Sequence, residues 1–261
     1  MIKVCHMTSA HEEEDIRIFR KECVSLAEAG YDVYLVERGD SYDKNGVHIV
    51  GVGEIPTSRL KRMTEGAKMV YQAARALDAD IYHFHDPELL PYGLKLKKAG
   101  KKVIFDSHEM YTEQIREKPY LPHWFARLLS HAYGKYESHV LGRIDGLVYT
   151  CLKDGVHPFA GKCRHITTID NTPMLWELYD RYDPAAKKEA DSVVYVGGLS
   201  YARGITHLIT AAAKADCTLY LAGMFDSEEY RHTVEALPGY SCVQYLGLLG
   251  REQVVALLQR C

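Results

Sequence analysis

The sequence predicts an α/β protein of two successive domains, each a parallel sheet covered by helices, with the second shorter than the first. Three observations carry this expectation. From Met1 onward, short apolar runs alternate with segments of helical spacing, joined by brief glycine-bearing turns. That is the pattern of strands buried on both faces beneath crossover helices. The alternation is interrupted by a polar stretch, 179–190, containing Asp183-Pro184 and Lys187-Lys188-Glu189, and then restarts. The restart begins with an apolar strand at Val193, turns through Gly197 and Gly198, and leads past Arg203-Gly204 into an apolar helix. Paired glycines let a backbone approach a ligand, and a cation beside a helix N-terminus adds charge where a phosphate would sit.

Taken in order, Ile2–Met7 is the first strand, and Asp15–Ala29 is a helix whose Ile16, Phe19, Cys23, Leu26 and Ala27 recur at helical spacing before Gly30 closes it. Tyr31–Val36 and His48–Val52 follow as strands, then Arg59–Leu77 as a long helix with solvated Lys61, Arg62 and Lys68. Ile81–His85 is the fourth strand, Glu88–Ala99 a helix stopped by Gly100, and Lys102–Asp106 the fifth strand. Pro122–Leu141 is a long aromatic helix, and Gly146–Thr150 and His165–Ile169 are two more strands of a first domain assigned to 1–178. With 179–190 as linker, the second domain, 191–261, supplies strand Ser192–Gly197, helix Ile205–Ala215, strand Thr218–Ala222, helix Ser227–Ala236, strand Val243–Leu246 and helix Arg251–Gln259. A parallel sheet of only three strands leaves one side uncovered, so this domain is expected to be incomplete.

Composition narrows the function. With 261 residues, 47% of them hydrophobic, the chain has ample material for a core. The net charge of −3, with basic and acidic residues interspersed, argues against nucleic acid as the partner. Seven cysteines occur without a C-x-x-C, and Cys5, Cys23, Cys217 and Cys242 are expected to be reduced and buried, as in a cytoplasmic protein. No apolar run reaches the length of a membrane span, and Lys3, Cys5 and His6 interrupt any signal-peptide core. The first strand–loop, Val4–His11, has no glycine, which disfavours a dinucleotide fingerprint, and no P-loop motif occurs.

Open α/β sheets bind ligands beyond the carboxyl ends of their strands, so chemistry is sought there. The fourth strand ends in His83-Phe84-His85-Asp86-Pro87 and the fifth in Asp106-Ser107-His108-Glu109. At a period of two, His83 and His85 point to one side, as do Asp106 and His108. One reading is a divalent-metal site for hydrolysis, made from His83, His85, Asp106 and His108. The favoured reading makes His83 a hydrogen-bonded core histidine and Asp86 the cap of the next helix, with Pro87 in its first turn. His108, at the end of an apolar strand beside Glu109, stands where a ligand-facing group belongs.

Four segments together resemble the family-4 glycosyltransferases: His11-x-x-x-Asp15-Ile-Arg17-Ile-Phe-Arg-Lys21-Glu22 with Leu26–Val33, His83–Leu90, Val103–Glu109 and Tyr195–Gly204. The resemblance implies the GT-B architecture of two facing Rossmann-like domains with parallel sheets, the second incomplete here. It implies transfer of a sugar from a nucleotide diphosphate sugar, with retention of configuration and no metal cofactor, to a glycan, lipid-linked or small-molecule acceptor, as in polysaccharide biosynthesis. By the same resemblance His108 contacts the donor sugar and Arg203 binds the diphosphate, with Gly197, Gly198 and Gly204 beside it. His11, Asp15, Arg17, His85 and Glu109 fall on the acceptor side. A fixed guanidinium and helix N–H groups suit a leaving group that gains negative charge.

Two departures from the family's pattern stand out. Gly198 occupies the place where many members carry an arginine, and Thr8-Ser9-Ala10-His11 replaces a glycine pair in the first loop. The family's paired glutamates of the second domain would lie beyond Cys261, so the donor domain is expected to be cut short. Arg17 and Lys21, with Glu13, Glu14 and Glu22 nearby, are read as helix-surface pairs. Tyr120–Leu129, with Lys118 and Arg127, is open to two readings: a surface resting on the inner face of a membrane, or domain core. Lys95, Lys97, Lys98, Lys101 and Lys102 form a basic run that suits either anionic lipid or a solvated helix end. Besides the transferase, the metal-dependent hydrolase and a non-catalytic fragment lacking the donor site stay open as alternatives.

Overall fold

Every residue of the first strand after Lys3 is buried, on both faces, which fixes it as the centre of a covered sheet. The computed structural model describes residues 1–118, 120–150 and 157–261. It divides into two units, Met1–Thr172 and Pro173–Cys261. The larger sheet of the first unit is built from β1 (Lys3–Met7), β2 (Asp32–Glu37), β3 (Tyr42–Lys44), β4 (Val47–Gly51), β5 (Ile81–Phe84), β6 (Lys102–Ser107), β7 (Gly146–Tyr149) and β8 (His165–Thr168). Their order is β3-β4-β2-β1-β5-β6-β7-β8, and every pair is parallel except β3 with β4. The chain builds outward from β1 to β4, then crosses back to β5 on the other side of β1. The carboxyl ends of β1 and β5 therefore flank the switch point where α/β sheets take ligands.

The helices of this unit are a π-helix, Ile16–Cys23, continuing into α1 (Val24–Glu28), then α2 (Arg59–Lys61), a second π-wound turn Arg62–Gly66, and α3 (Ala67–Ala76). A 3₁₀ turn, Pro87–Leu89, leads into α4 (Leu90–Lys98), followed by α5 (Tyr111–Arg116) and α6 (His123–Leu141). Strand periodicity divides the core in two. Val33 and Leu35 pack with Ile18, Phe19 and Cys23 of the π-helix, while Val36 joins Cys5, Met7, Phe84 and Phe105 on the other face. The parallel register aligns His6 with His83 and Phe84 with Phe105. Counting by two, His6, His83, His85, Asp106 and His108 all fall on the face that the π-helix covers.

The second unit contains α7 (Leu175–Leu178), β9 (Ser192–Val196), α8 (Ile205–Lys214), β10 (Thr218–Ala222), α9 (Glu228–Glu235), β11 (Val243–Gly247) and α10 (Arg251–Arg260). Its three strands are parallel, in the order β11-β10-β9. One face buries Leu219 and Leu221 with Ile205, Ile209 and Val234, and the other sets Tyr220 and Ala222 against Leu257. The stretch expected as a linker is tied to α10: Glu189 N–H donates to the Arg260 carbonyl at 2.8 Å, and the Arg260 Nε reaches the Glu189 carboxylate at 2.6 Å.

Three elements go beyond the sequence reading: β3, α5 and α7. The β3–β4 hairpin had a signal, Asn45-Gly46, whose φ angles of 51° and 78° are those of a tight hairpin turn. The six cysteines among the described residues are free, and the seventh, Cys151, lies outside them. Cys5 and Cys23 are buried as expected, but Cys217 and Cys242 are partly exposed because they lie at the strand starts, away from the packed centre. No helix among the described residues is long and apolar enough to cross a membrane.

The ends of β9 and β10 meet through glycine. Gly197 N–H donates to the Ala222 carbonyl at 2.9 Å, and a Cβ on Gly223, whose φ is +145°, would overlap the Gly197 carbonyl oxygen. Gly223→Ala should therefore destabilise the second unit by about 2 kcal/mol, read as an earlier transition in urea.

Candidate active site

Asp106, fully buried at the end of β6, gathers the face covered by the π-helix. Its carboxylate accepts two hydrogen bonds from Arg17, Nε to Oδ2 at 2.8 Å and Nη2 to Oδ1 at 3.0 Å. His108 Nε2 lies 3.0 Å and His85 Nδ1 3.3 Å from the same Oδ2. Burial alone would raise the Asp106 pKa, but the bonds from His108, His85 and Arg17 outweigh it and hold the carboxyl well below the usual range. Arg17 is 5% exposed and also donates to the Ile169 carbonyl.

This corrects the reading of Arg17 as one half of a helix-surface pair. The π-helix buries Ile18 and Phe19 and carries Arg17 inward beside them, where a partner 89 residues away neutralises it. Lys21 reaches Asn171 and the Thr172 carbonyl instead. Asp15 caps the π-helix, accepting from Arg17 N and Ile18 N at 2.8 and 3.0 Å.

Behind Asp106 lie His6, which the sequence reading gave no part in the site, and Glu22, which it placed among the helix-surface charges and which instead faces inward. His6 Nδ1 is 3.0 Å from His85 Nε2. Glu22 Oε2 is 3.9 Å from His6 Nδ1, 3.8 Å from His83 Nδ1 and 4.0 Å from His85 Nε2. Glu22 Oε1 sits 3.1 Å from Arg17 Nε without hydrogen-bond alignment. Burial, together with the Asp106 charge, pushes the Glu22 carboxyl up to about 9. Burial also depresses His83 to about 3 and lowers His6 and His85. Among the described residues, Nε2 of both His6 and His83 is buried without a hydrogen-bond partner. His83 is thus a core histidine, but not the hydrogen-bonded one expected.

Asp86 stands at the start of the turn before α4, yet its side chain caps nothing there. Pro87, the first residue of that turn, has no N–H to offer. The carboxylate instead accepts from Thr8 Oγ1 at 2.9 Å, Ser9 N at 2.6 Å and Ala10 N at 3.2 Å, fastening the loop after β1. His11 Nδ1 is 3.1 Å from its other oxygen. Burial opposes ionisation, but these contacts outweigh it, so Asp86 is held below and His11 above its ordinary pKa.

In front of this framework the first unit has a cavity of about 730 Å³. His11, His108 and Glu109 line it with Glu88, Tyr111 and Tyr133, so the loop after β1 contributes to this wall. Asp15, Arg17 and His85 are not among the lining residues. Leu129 lines the cavity, and apart from buried Ala126 the stretch Tyr120–Leu129 is not core: Trp124 is 70% and Leu128 59% exposed. The basic run is largely tied down, with Lys97 on Asp145 at 2.7 Å and Lys101 on Asp78 at 2.7 Å.

In the second unit Gly204, at φ +75°, is the N-cap of α8, and no side chain caps the helix. Arg203 is exposed one residue earlier, its backbone N–H donating to Ser200. Gly197 and Gly198 form the turn after β9, where the Gly198 carbonyl accepts from Tyr195 Oη at 3.0 Å. A Cβ on Gly198 would meet nothing within 4 Å.

Comparison with known proteins gives three findings. The family profile "Glycosyltransferase Family 4" matches residues 19–152. Among solved structures, sucrose-phosphate synthase from Thermosynechococcus elongatus is similar at TM-score 0.71 and 15% identity, over 99% of this chain and 73% of that one. HepE from Anabaena, in complex with UDP and glucose, gives 0.63 and 11% over 96% and 70%. WaaG, a glycosyltransferase of lipopolysaccharide biosynthesis, gives 0.63 and 13% over 100% and 73%. At these identities the likeness shows the fold, the GT-B type. No curated protein matches by sequence.

Arg17→Met leaves Asp106 buried without its guanidinium and should cost about 3 kcal/mol or more. Urea unfolding of the purified chain measures this, and Arg17→Met with Asp106→Leu should recover part of the loss.

Proposed function

Because this chain belongs to glycosyltransferase family 4, we propose that it moves a sugar from a nucleotide diphosphate sugar to a glycan, lipid-linked or small-molecule acceptor, with retention of configuration at the anomeric carbon. The observation that carries this reading is the position of His108. It lines the cavity of the first unit, and its Nε2 is fixed 3.0 Å from a carboxylate that Arg17 keeps ionised and immobile. A polar group held by such a buried pair meets a donor sugar without reorganising.

The second unit supplies the groups for the diphosphate. As the donor's bond to its phosphate breaks, negative charge grows on the leaving oxygen, and Arg203 with the uncapped first turn of α8 stabilises it. The turn at Gly197 and Gly198 admits the phosphates close to the backbone. In this reading no metal takes part in the transfer. The structurally similar HepE, solved with UDP and glucose bound, supports a nucleotide-linked donor.

The exposed start of α6 favours a lipid-linked acceptor. Exposed Tyr120, Trp124, Phe125 and Leu128 stand beside Arg116, Lys118 and Arg127, a mixture of aromatic and cationic groups suited to an anionic bilayer surface. The enzyme would then work from the cytoplasmic face, in a pathway of polysaccharide assembly.

Calorimetric titration with UDP and GDP, combined with turnover, tests the donor reading. Arg203→Ala should lower donor-dependent turnover about 100-fold, and an unchanged rate would remove it from the mechanism. His108→Ala should impair turnover while plain nucleoside diphosphate binding persists; a large loss of that binding would contradict its placement on the sugar. Sedimentation with vesicles tests the surface: Trp124→Ser with Leu128→Ser should abolish binding to anionic vesicles, and retained binding would dismiss this face.

A further inference from the structure

We propose that His6, His83, His85 and Glu22 form a binding site for one divalent transition-metal ion, with zinc as the fitting ion, that ties β1, β5 and the π-helix together. Ligand atoms of the four residues all lie within 4.8 Å of one another. The separations that define the cluster are 3.0 Å from His6 Nδ1 to His85 Nε2 and 3.8–4.0 Å from Glu22 Oε2 to the three imidazoles. Four donors bound tetrahedrally at zinc–nitrogen distances stand about 3.3 Å apart, so an ion would open the 3.0 Å His6–His85 pair slightly and draw in Glu22 Oε2, now 3.8–4.0 Å from the imidazoles.

The surroundings match what a metal ligand needs. His85 turns Nδ1 toward Asp106 Oδ2 at 3.3 Å and Nε2 toward the cluster, the arrangement in which a carboxylate orients a ligand imidazole. Glu22 divides its oxygens, Oε1 toward Arg17 and Oε2 toward the histidines. No donor among the described residues is hydrogen-bonded to either oxygen. A buried Glu22 with neither oxygen hydrogen-bonded is a costly arrangement, and a divalent cation bound through Oε2 removes part of that cost.

The neighbouring set His85, Asp106 and His108 also lies within reach of a common point. It is the weaker candidate because it offers three ligands against four, and Asp106 already accepts two hydrogen bonds from Arg17. Four protein ligands at a buried position leave no open coordination place for water or substrate, so the site is structural and not hydrolytic. It holds the rear of the Asp106 framework independently of which reaction the cavity serves. His6 comes from β1, His83 and His85 from the segment around β5, and Glu22 from the π-helix. One ion thus links three elements that backbone hydrogen bonds connect only in part.

The test is metal content of the untagged full chain, purified without chelator, followed by cobalt titration of the chelated protein. About one zinc per chain is expected, with the visible absorption of tetrahedral cobalt on titration and a higher Tm when metal is restored. Glu22→Gln and His6→Ala should weaken binding about 100-fold, while His108→Ala should retain it. Absence of zinc together with no cobalt absorption and no Tm shift in the wild-type chain overturns the proposal whether or not the variants fold. Loss of metal in His108→Ala with retention in His6→Ala overturns it in favour of the set around Asp106.

Discussion

The first unit depends on one buried charge pair, the Asp106 carboxylate against the Arg17 guanidinium. Two parallel hydrogen bonds fix the relative position of β6 and the π-helix. The same carboxylate then orients His85 on one side and His108 on the other. Replacing the pair by apolar side chains need not unfold the protein, since buried ion pairs contribute little net stability. What the pair supplies is a defined place for an imidazole at a cavity wall. A second buried carboxylate, Asp86, does the same for the loop after β1 by collecting its N–H and hydroxyl donors and fixing His11. Both carboxylates sit at the carboxyl ends of central strands or just beyond them, where the parallel sheet opens to ligands.

The second unit shapes the carboxyl end of its sheet through backbone. Its close crossing at Gly197 and Gly223 brings the ends of β9 and β10 together, and the left-handed Gly204 starts α8 without a side-chain cap. First-turn N–H groups and an exposed Arg203 are among the polar elements of this end of the sheet, with Ser200 and Asp226 beside them. The charged side chains here, Arg203 and Asp226 among them, are exposed, in contrast to the buried ionic network of the first unit.

Much of this was legible in the sequence, because strand and helix periodicities declare themselves locally. The alternation from Met1 to Ile169 and its restart at Ser192 correspond to the two parallel sheets. The paired glycines and Arg203-Gly204 mark the turn and the start of α8. The residues that escaped are those whose roles are set by long-range register. Arg17 meets Asp106 across 89 positions, and His6 meets His83 only because β1 and β5 are neighbours in the sheet. Glu22 lies five residues after Arg17, a spacing that an ordinary α-helix places on different faces and a π-helix brings together. Trp124 and Phe125 were ambiguous for a different reason: an aromatic residue on a helix reads alike whether it faces a core or a bilayer.

The central claim, glycosyl transfer with retention, is tested most directly by following the anomeric proton of the sugar by NMR while the chain is incubated with UDP- and GDP-sugars and candidate acceptors. Retaining transfer predicts release of nucleoside diphosphate from one donor class and a product with the anomeric configuration of that donor. An inverted product would contradict retention, and no release from any donor would contradict the transferase assignment for this chain.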